Sequence, residues 1–192
     1  LDCAESFEKQ HFLEGFPTAD GRFHFRADWS ALGREAAGMP ALPGHWGAIA
    51  AADAERPFRL VAAPARTYLN TTFTETPGSR KREGRPEIMI HPETCARLGV
   101  GAGDRVRVGN RLGSILIHVK PFDGVQPDVV VIESIWPNRD YIEGRGVNTL
   151  VSAEAGQPRG GAVFHDTAVW ITPVRTEEAS SLLCQADEGN MP

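Results

Sequence analysis

A chain of 192 residues with a formal net charge of −5 and an isoelectric point near 5.7 is long enough to bury a core as one ordinary domain, alone or with an extended arm. It lacks the basic footprint of a generic nucleic-acid binder, and its longest apolar runs, such as Val129 to Ile132, are far too short to span a membrane. Cys3, Cys95 and Cys184 are odd in number and far apart, which gives neither a disulfide framework nor the ligand spacing of a zinc or iron–sulfur site.

Residues Leu1 to Gly15 are mixed and polar and read as an arm or the tail of a helix. No signal peptide opens them and Leu1 is not an initiator methionine, so the chain reads as a segment of something longer, with the compartment open and the cytoplasm placed ahead of the periplasm. Ala19-Asp20-Gly21 predicts a turn, and Arg22 to Phe25 a short strand with Phe23 and Phe25 on one face. Asp28 to Pro57 is rich in Ala, Gly and Pro without sustained periodicity. It reads as a connector anchored by Trp29 and Trp46, of a length expected where an arm packs on a neighbour.

Phe58 to Ala62 is the first predicted barrel strand, entering the loop Pro64 to Phe73; the polar run Glu75 to Arg85 reads as a solvated loop. Glu87 to Ile90 is a second strand. His91-Pro92-Glu93 then offers a helix start, with proline where no hydrogen bond is lost and a carboxylate at the positive end of the dipole, and Gly99 offers the stop. In Gly103 to Val108 the valines Val106 and Val108 alternate with Arg105 and Arg107, the pattern of a half-buried strand, and a turn at Asn110 to Gly113 leads into the return strand Ser114 to Val119. Val129 to Ile132 is apolar enough to be buried on both faces, and Ala168 to Ile171 closes the sheet before a polar tail from Arg175. Strand after strand with a short helix predicts a mostly β barrel with long loops. The boundaries implied are an arm at 1–56, the barrel at 57–174 and a tail at 175–192.

Three loops concentrate uncharged hydrogen-bonding side chains: Arg66 to Phe73 with Thr67, Asn70, Thr71 and Thr72; Trp136 to Leu150 with Asn138, Asn148 and Thr149; and Gly156 to Asp166 with Gln157. Such groups suit a ligand rich in heteroatoms and phosphate better than they suit proton transfer, although turn formation is the commonest job of Asn and Thr. Glu133, Asp140, Glu143, His165 and Asp166 form no evident acid–base pair, and no glycine-rich phosphate loop is present.

The central unit, Glu87 to Val119, resembles the repeat of double-psi β-barrels. More widely, GFPTADGRFHF, PFRLVAAPARTYLNTTF, PEIMIHPETCARLGVGAGDRVRV, RLGSILIHVKPFDGVQPDVVVIESIWP, GVNTLV and GQP occur in an order that resembles the C-terminal part of molybdopterin-dependent oxidoreductases of the dimethyl sulfoxide reductase superfamily, a group that includes formate dehydrogenases and nitrate reductases. The resemblance covers Gly15 to Val174. It implies a double-psi barrel of the aspartate-decarboxylase-like type that closes over bis-molybdopterin guanine dinucleotide, with molybdenum or tungsten, in company with other domains of the same enzyme. Carried over residue by residue, it implies cofactor contacts from Arg66, Asn70, Thr71, Thr72, Asn148 and Gln157, and from Trp136 and Asn138 in a loop of variable length. The metal's protein ligand and any iron–sulfur cluster belong elsewhere in the full enzyme, so the segment is expected to catalyse nothing alone. Two other readings stand beside this one: a free-standing double-psi barrel that recognises proteins, and a self-processing decarboxylase cut at Gly113-Ser114, where Ser114 also fits an ordinary strand.

Overall fold

The computed structural model describes residues 6–16, 18–26, 28–36, 38–40, 42, 51–133, 135–156, 161–162, 164 and 167–174. The chain divides into two compact units, Leu1–Trp46 with Ala155–Gly161, and Gly47–Glu154 with Ala162–Pro192.

The second unit carries the strands β1 (Phe58–Ala63), β2 (Glu87–Ile90), β3 (Arg105–Gly109), β4 (Ser114–Pro121) and β5 (Val129–Glu133). Two-residue strands β6 (Ala155–Gly156) and β7 (Gly161–Ala162) pair with each other, and β8 (Thr167–Pro173) is the last. Six of these close a barrel in the order β1-β5-β2-β4-β3-β8, with β8 returning to β1. The pairs β1–β5 and β2–β4 are parallel and the other contacts antiparallel, giving a double-psi β-barrel. A closed barrel leaves none of these six strands as an open edge.

The interior follows the alternation in the sequence. Val106 and Val108 of β3, and Ile115, Ile117 and Val119 of β4, are at most 1% exposed, together with Leu60, Ile88, Ile90, Val130, Ile132 and Val169. The expectation that Val129 to Ile132 is buried on both faces is corrected: only Val130 and Ile132 are buried, while Val129, Val131 and Glu133 are intermediate, because the outer face of β5 is only partly covered. Trp170 of β8 lies across Gly109, where any side chain would enter its ring.

Helix α2 (Pro92–Leu98) begins and ends where the sequence places it. The His91 ring nitrogen accepts from the Glu93 amide at 3.2 Å, Pro92 occupies the first turn, and Gly99 takes the left-handed cap at φ 68°. Buried Thr94 and Cys95 seat the helix, with Thr94 Oγ1 donating to the Pro127 carbonyl at 2.6 Å. The run Glu75 to Arg85, expected as a loop, instead contains a helix, α1 (Pro77–Glu83). It buries no residue, so it has no apolar period to read. Pro77 starts it, Gly84 at φ 76° ends it, and Arg80, Lys81 and Arg82 sit in its last turn, where cations suit the dipole.

In the first unit the expected Ala19-Asp20-Gly21 turn forms, with the Gly21 amide donating to the Thr18 carbonyl at 3.1 Å. The strand expected at Arg22 to Phe25 does not. Its backbone is satisfied locally: the Arg22 amide donates to Asp20 Oδ1 at 3.1 Å, and Thr18 Oγ1 donates to the Arg22 carbonyl at 2.9 Å. Phe23 still meets Phe25, edge to face at 4.9 Å. Within the expected connector lie two 3-10 helices, Trp29–Leu32 and Arg34–Ala36, and Trp29 anchors itself by donating from Nε1 to the Pro40 carbonyl at 2.8 Å. Trp46 lies outside the described residues.

Candidate functional site

The parallel strands β1 and β5 end side by side, and beyond their carboxyl ends lies a cleft of about 390 Å³. Ala62, Ala63 and Pro64 form its floor at the end of β1; Ile135, Val147, Val151 and Phe164 give it apolar walls; Asn70 and Asn148 supply the amides. The small residues of "AAP" are what leave the space.

Asn70 sits at the tip of a tight turn closed by the Thr72 amide donating to the Leu69 carbonyl at 2.8 Å, and it holds a left-handed backbone at φ 52°, which Asn tolerates better than most residues. Arg66, Thr71 and Thr72 are exposed on the same loop. Thr67 is committed elsewhere, since its amide donates to Glu83 Oε1 at 2.7 Å and its hydroxyl donates to the same oxygen, tying the loop to α1.

Asn148 comes from the loop between β5 and β6, which is fastened at successive points. Trp136, 5% exposed, packs edge to face on Tyr68 at 5.0 Å, with the Arg80 guanidinium 6.0 Å from its ring centre. Asp140 accepts two hydrogen bonds from Arg80, at 2.7 and 3.1 Å, and Glu143 accepts two from Arg107, at 2.6 and 3.0 Å. Arg107, and after it burial in the opposite sense, acts on the Glu143 carboxyl, and the balance holds it below the ordinary carboxylate value. Tyr141 is buried at the loop's centre, and burial pushes its hydroxyl up to about 12. Gly146 passes against the Tyr141 ring and Asn138 Oδ1, which accepts from its amide at 3.1 Å. The loop then forms the single 3-10 turn Val147–Leu150, with Val147 and Leu150 buried and Asn148 exposed.

Four described asparagines therefore divide into two kinds. Asn138 and Asn110 commit their side chains to other groups of the chain, Asn138 by accepting from the Gly146 amide and Asn110 by donating to the Leu150 carbonyl at 2.7 Å and accepting from the Leu112 amide at 2.8 Å. Among the described residues, the side chains of Asn70 and Asn148 have no hydrogen-bond partner, and both line the cleft. Trp136 and Asn138 are not among its lining residues; both belong to the framework of the loop. Gln157, His165 and Asp166 lie outside the described residues. Of the candidate acid–base residues, Asp140 is held by Arg80, and Glu143 by Arg107 and Arg145. Ser114 is the first residue of β4, opposite Gly109, with Oγ 3.4 Å from Arg107 Nη1. Neither a cluster of three metal-ligating side chains nor a helix long and apolar enough to cross a membrane occurs among the described residues.

From the start of β1 to the start of β8, the cleft included, residues 58–168 match the model of the "Molydopterin dinucleotide binding domain". The chain belongs to that family. A Halobacterium salinarum protein named for the catalytic component of dimethyl sulfoxide reductase is 29% identical over 127 residues, 66% of this chain and 15% of that one. The "Probable oxidoreductase YoaE" of Bacillus subtilis is 28% identical over 167 residues, 87% of this chain and 24% of the relative. The domain thus spans between 15% and 24% of the length of these relatives. Acetylene hydratase from Pelobacter acetylenicus contains the same fold, with a TM-score of 0.67 over 84% of this chain and 24% of that one, at 15% identity.

Sequence reasoning singled out Asn70 and Asn148 from the composition of their loops and from the resemblance, and gave no sign of the contacts that fasten the Asn148 loop. Asn110, Arg107 and Glu143 carry no local signal, because their partners are brought close only when the barrel closes.

Proposed function

We propose that this chain is the domain of a molybdenum or tungsten oxidoreductase that lines bis-molybdopterin guanine dinucleotide, with the remaining walls supplied by other domains of the same polypeptide. The observation that carries this reading is the pair of uncommitted amides, Asn70 and Asn148, facing one apolar cleft. An amide presents a donor and an acceptor side by side, which matches the edge of a pterin or guanine ring, while apolar walls accept the ring's faces. The volume suits one heterocycle rather than a whole dinucleotide, so the chain contributes one wall of a larger site. Arg66, Thr71 and Thr72, exposed beside Asn70, are assigned to the adjoining phosphate and sugar groups, and Gln157 to a second contact with the ring system.

Bound there, the cofactor would supply the redox chemistry of its metal; this domain's residues would orient it and shield it from water. Trp136 and Asn138 contribute by shaping the loop. The test is to express the whole polypeptide with Asn148→Ala and Gln157→Ala together, then extract the guanine dinucleotide and measure metal by elemental analysis. Severalfold lower occupancy is expected, and wild-type occupancy would overturn the assignment. The same elemental analysis of the unaltered protein decides between molybdenum and tungsten.

A further inference from the structure

The 3-10 turn that carries Asn148 is too short to hold its own shape. Within and beside it, Thr149 donates to the Gly146 carbonyl at 3.0 Å and Val151 donates to the Asn148 carbonyl at 3.3 Å. One turn of such a helix has little stability alone, so contacts from outside decide where it sits. Buried Val147 and Leu150 fix its depth. At its start the Gly146 amide is held by Asn138 Oδ1, and at its far end the support comes from the turn between β3 and β4: Asn110 Nδ2 donates to the Leu150 carbonyl at 2.7 Å, and a β-carbon at Gly113 would stand 2.8 Å from Thr149 Cγ2, so the two turns are in direct contact. At the other end of this segment Arg107, from β3, holds Glu143.

We infer that Asn110 is a positioning residue for the cleft, holding the Leu150 carbonyl to the β3–β4 turn and so setting where Asn148 presents its amide. This rests on the reading of Asn148 as a ligand contact. Asn110 has two separable duties. Its Oδ1 accepts from the Leu112 amide and shapes its own turn, while its Nδ2 reaches across to Leu150. Asn110→Asp keeps the first and loses the second, and sets a carboxylate against a carbonyl. Gly113→Ala disturbs the same contact from the opposite side, through Thr149.

The experiment compares the unaltered whole polypeptide with Asn110→Asp, Gly113→Ala, Asn148→Ala and the Asn110→Asp/Asn148→Ala double variant. Two quantities are read: amide hydrogen exchange at Thr149 and Val151 in cofactor-free protein, and guanine dinucleotide retained after purification. Asn110→Asp and Gly113→Ala are expected to speed exchange at those amides on the order of tenfold, with barrel amides such as Val106 and Val130 unchanged, because the opening is local. Asn110→Asp should also lower dinucleotide retention severalfold, yet add nothing in the Asn148→Ala background, since a residue acting through Asn148 has nothing left to position. Wild-type exchange at Thr149 and Val151 in both turn variants would overturn the tether. So would an equal loss of retention from Asn110→Asp with and without Asn148. Full retention in Asn148→Ala would instead overturn the ligand reading, and the exchange data alone would then judge whether Asn110 holds the turn.

Discussion

Between Ile132 and Leu150 the chain passes from one kind of support to another. Up to the end of β5, side chains such as Val130 and Ile132 are held by burial in a closed apolar interior, and the backbone by ladders on both sides. From Trp136 to Leu150 there is no ladder. The loop is pinned by Trp136 on Tyr68, Asp140 on Arg80, Glu143 on Arg107 and Leu150 on Asn110. The wall depends on area removed from water, which is insensitive to the exact position of any one atom. The loop keeps part of that burial, at Trp136, Tyr141, Val147 and Leu150, and adds directional contacts, which fix positions while contributing little stability. A barrel that can lose a ligand contact without unfolding is the consequence, and the two regions should respond differently to the same kind of perturbation.

The largest effect is expected from the wall. Ile132→Ala removes a fully buried side chain and should cost roughly 2–5 kcal/mol in a denaturant melt. A cost near zero would mean that the interior does not carry the fold. Gly109→Ala should come next, at about 1–3 kcal/mol, because the new methyl group enters the Trp170 ring and must displace it. Trp170 fluorescence should shift with it.

The loop clamp is expected to cost less. Glu143→Gln keeps the shape but surrenders the charge that Arg107 and Arg145 grip, and about 0.5–1 kcal/mol is expected for half-buried pairs that solvent still reaches. Its pH signature has a definite sign. The folded carboxyl titrates below its ordinary value of 4.5, so its stabilisation is complete above that value and drains away as pH falls through the lower folded one. The difference in stability between wild type and Glu143→Gln should therefore be constant at neutral pH and shrink in acid; growth in acid would show that the pair does not act as drawn. The smallest effect on stability should come from Asn148→Ala, within about 0.5 kcal/mol of wild type, since an exposed amide without a partner gives up nothing on removal. A large loss would place Asn148 in the framework of the loop, beside Asn138.

What could be read from the sequence follows the same division. The stretch from Glu87 to Val119 was legible because its signals are local: Pro92 and Gly99 bracket α2, and the valines of β3 alternate with arginines. Helix α1 escaped because a helix with no buried residue leaves no period to detect. The loop clamps escaped for another reason, since nothing near Arg107 in the chain marks Glu143 as its partner. Asn138 and Asn148 show the limit most plainly. They are the same residue in the same loop, both exposed, and composition cannot separate them; the close passage of Gly146 gives one a backbone amide to bond, while the single turn that follows leaves the other without a partner. The family resemblance carried over both, Asn138 as the weaker of the two, and the geometry supplies a physical difference between them.

Closure of the barrel also has a bearing on how the chain is made. β1 is synthesised early, yet one of its two neighbours is β8, whose residues 167–173 are the last of the barrel to be translated. Until they leave the ribosome, one side of β1 offers bare amides and carbonyls to any passing strand. The interval between those two events is when this domain is most exposed to aggregation, and slow decoding between residues 134 and 167 would lengthen it.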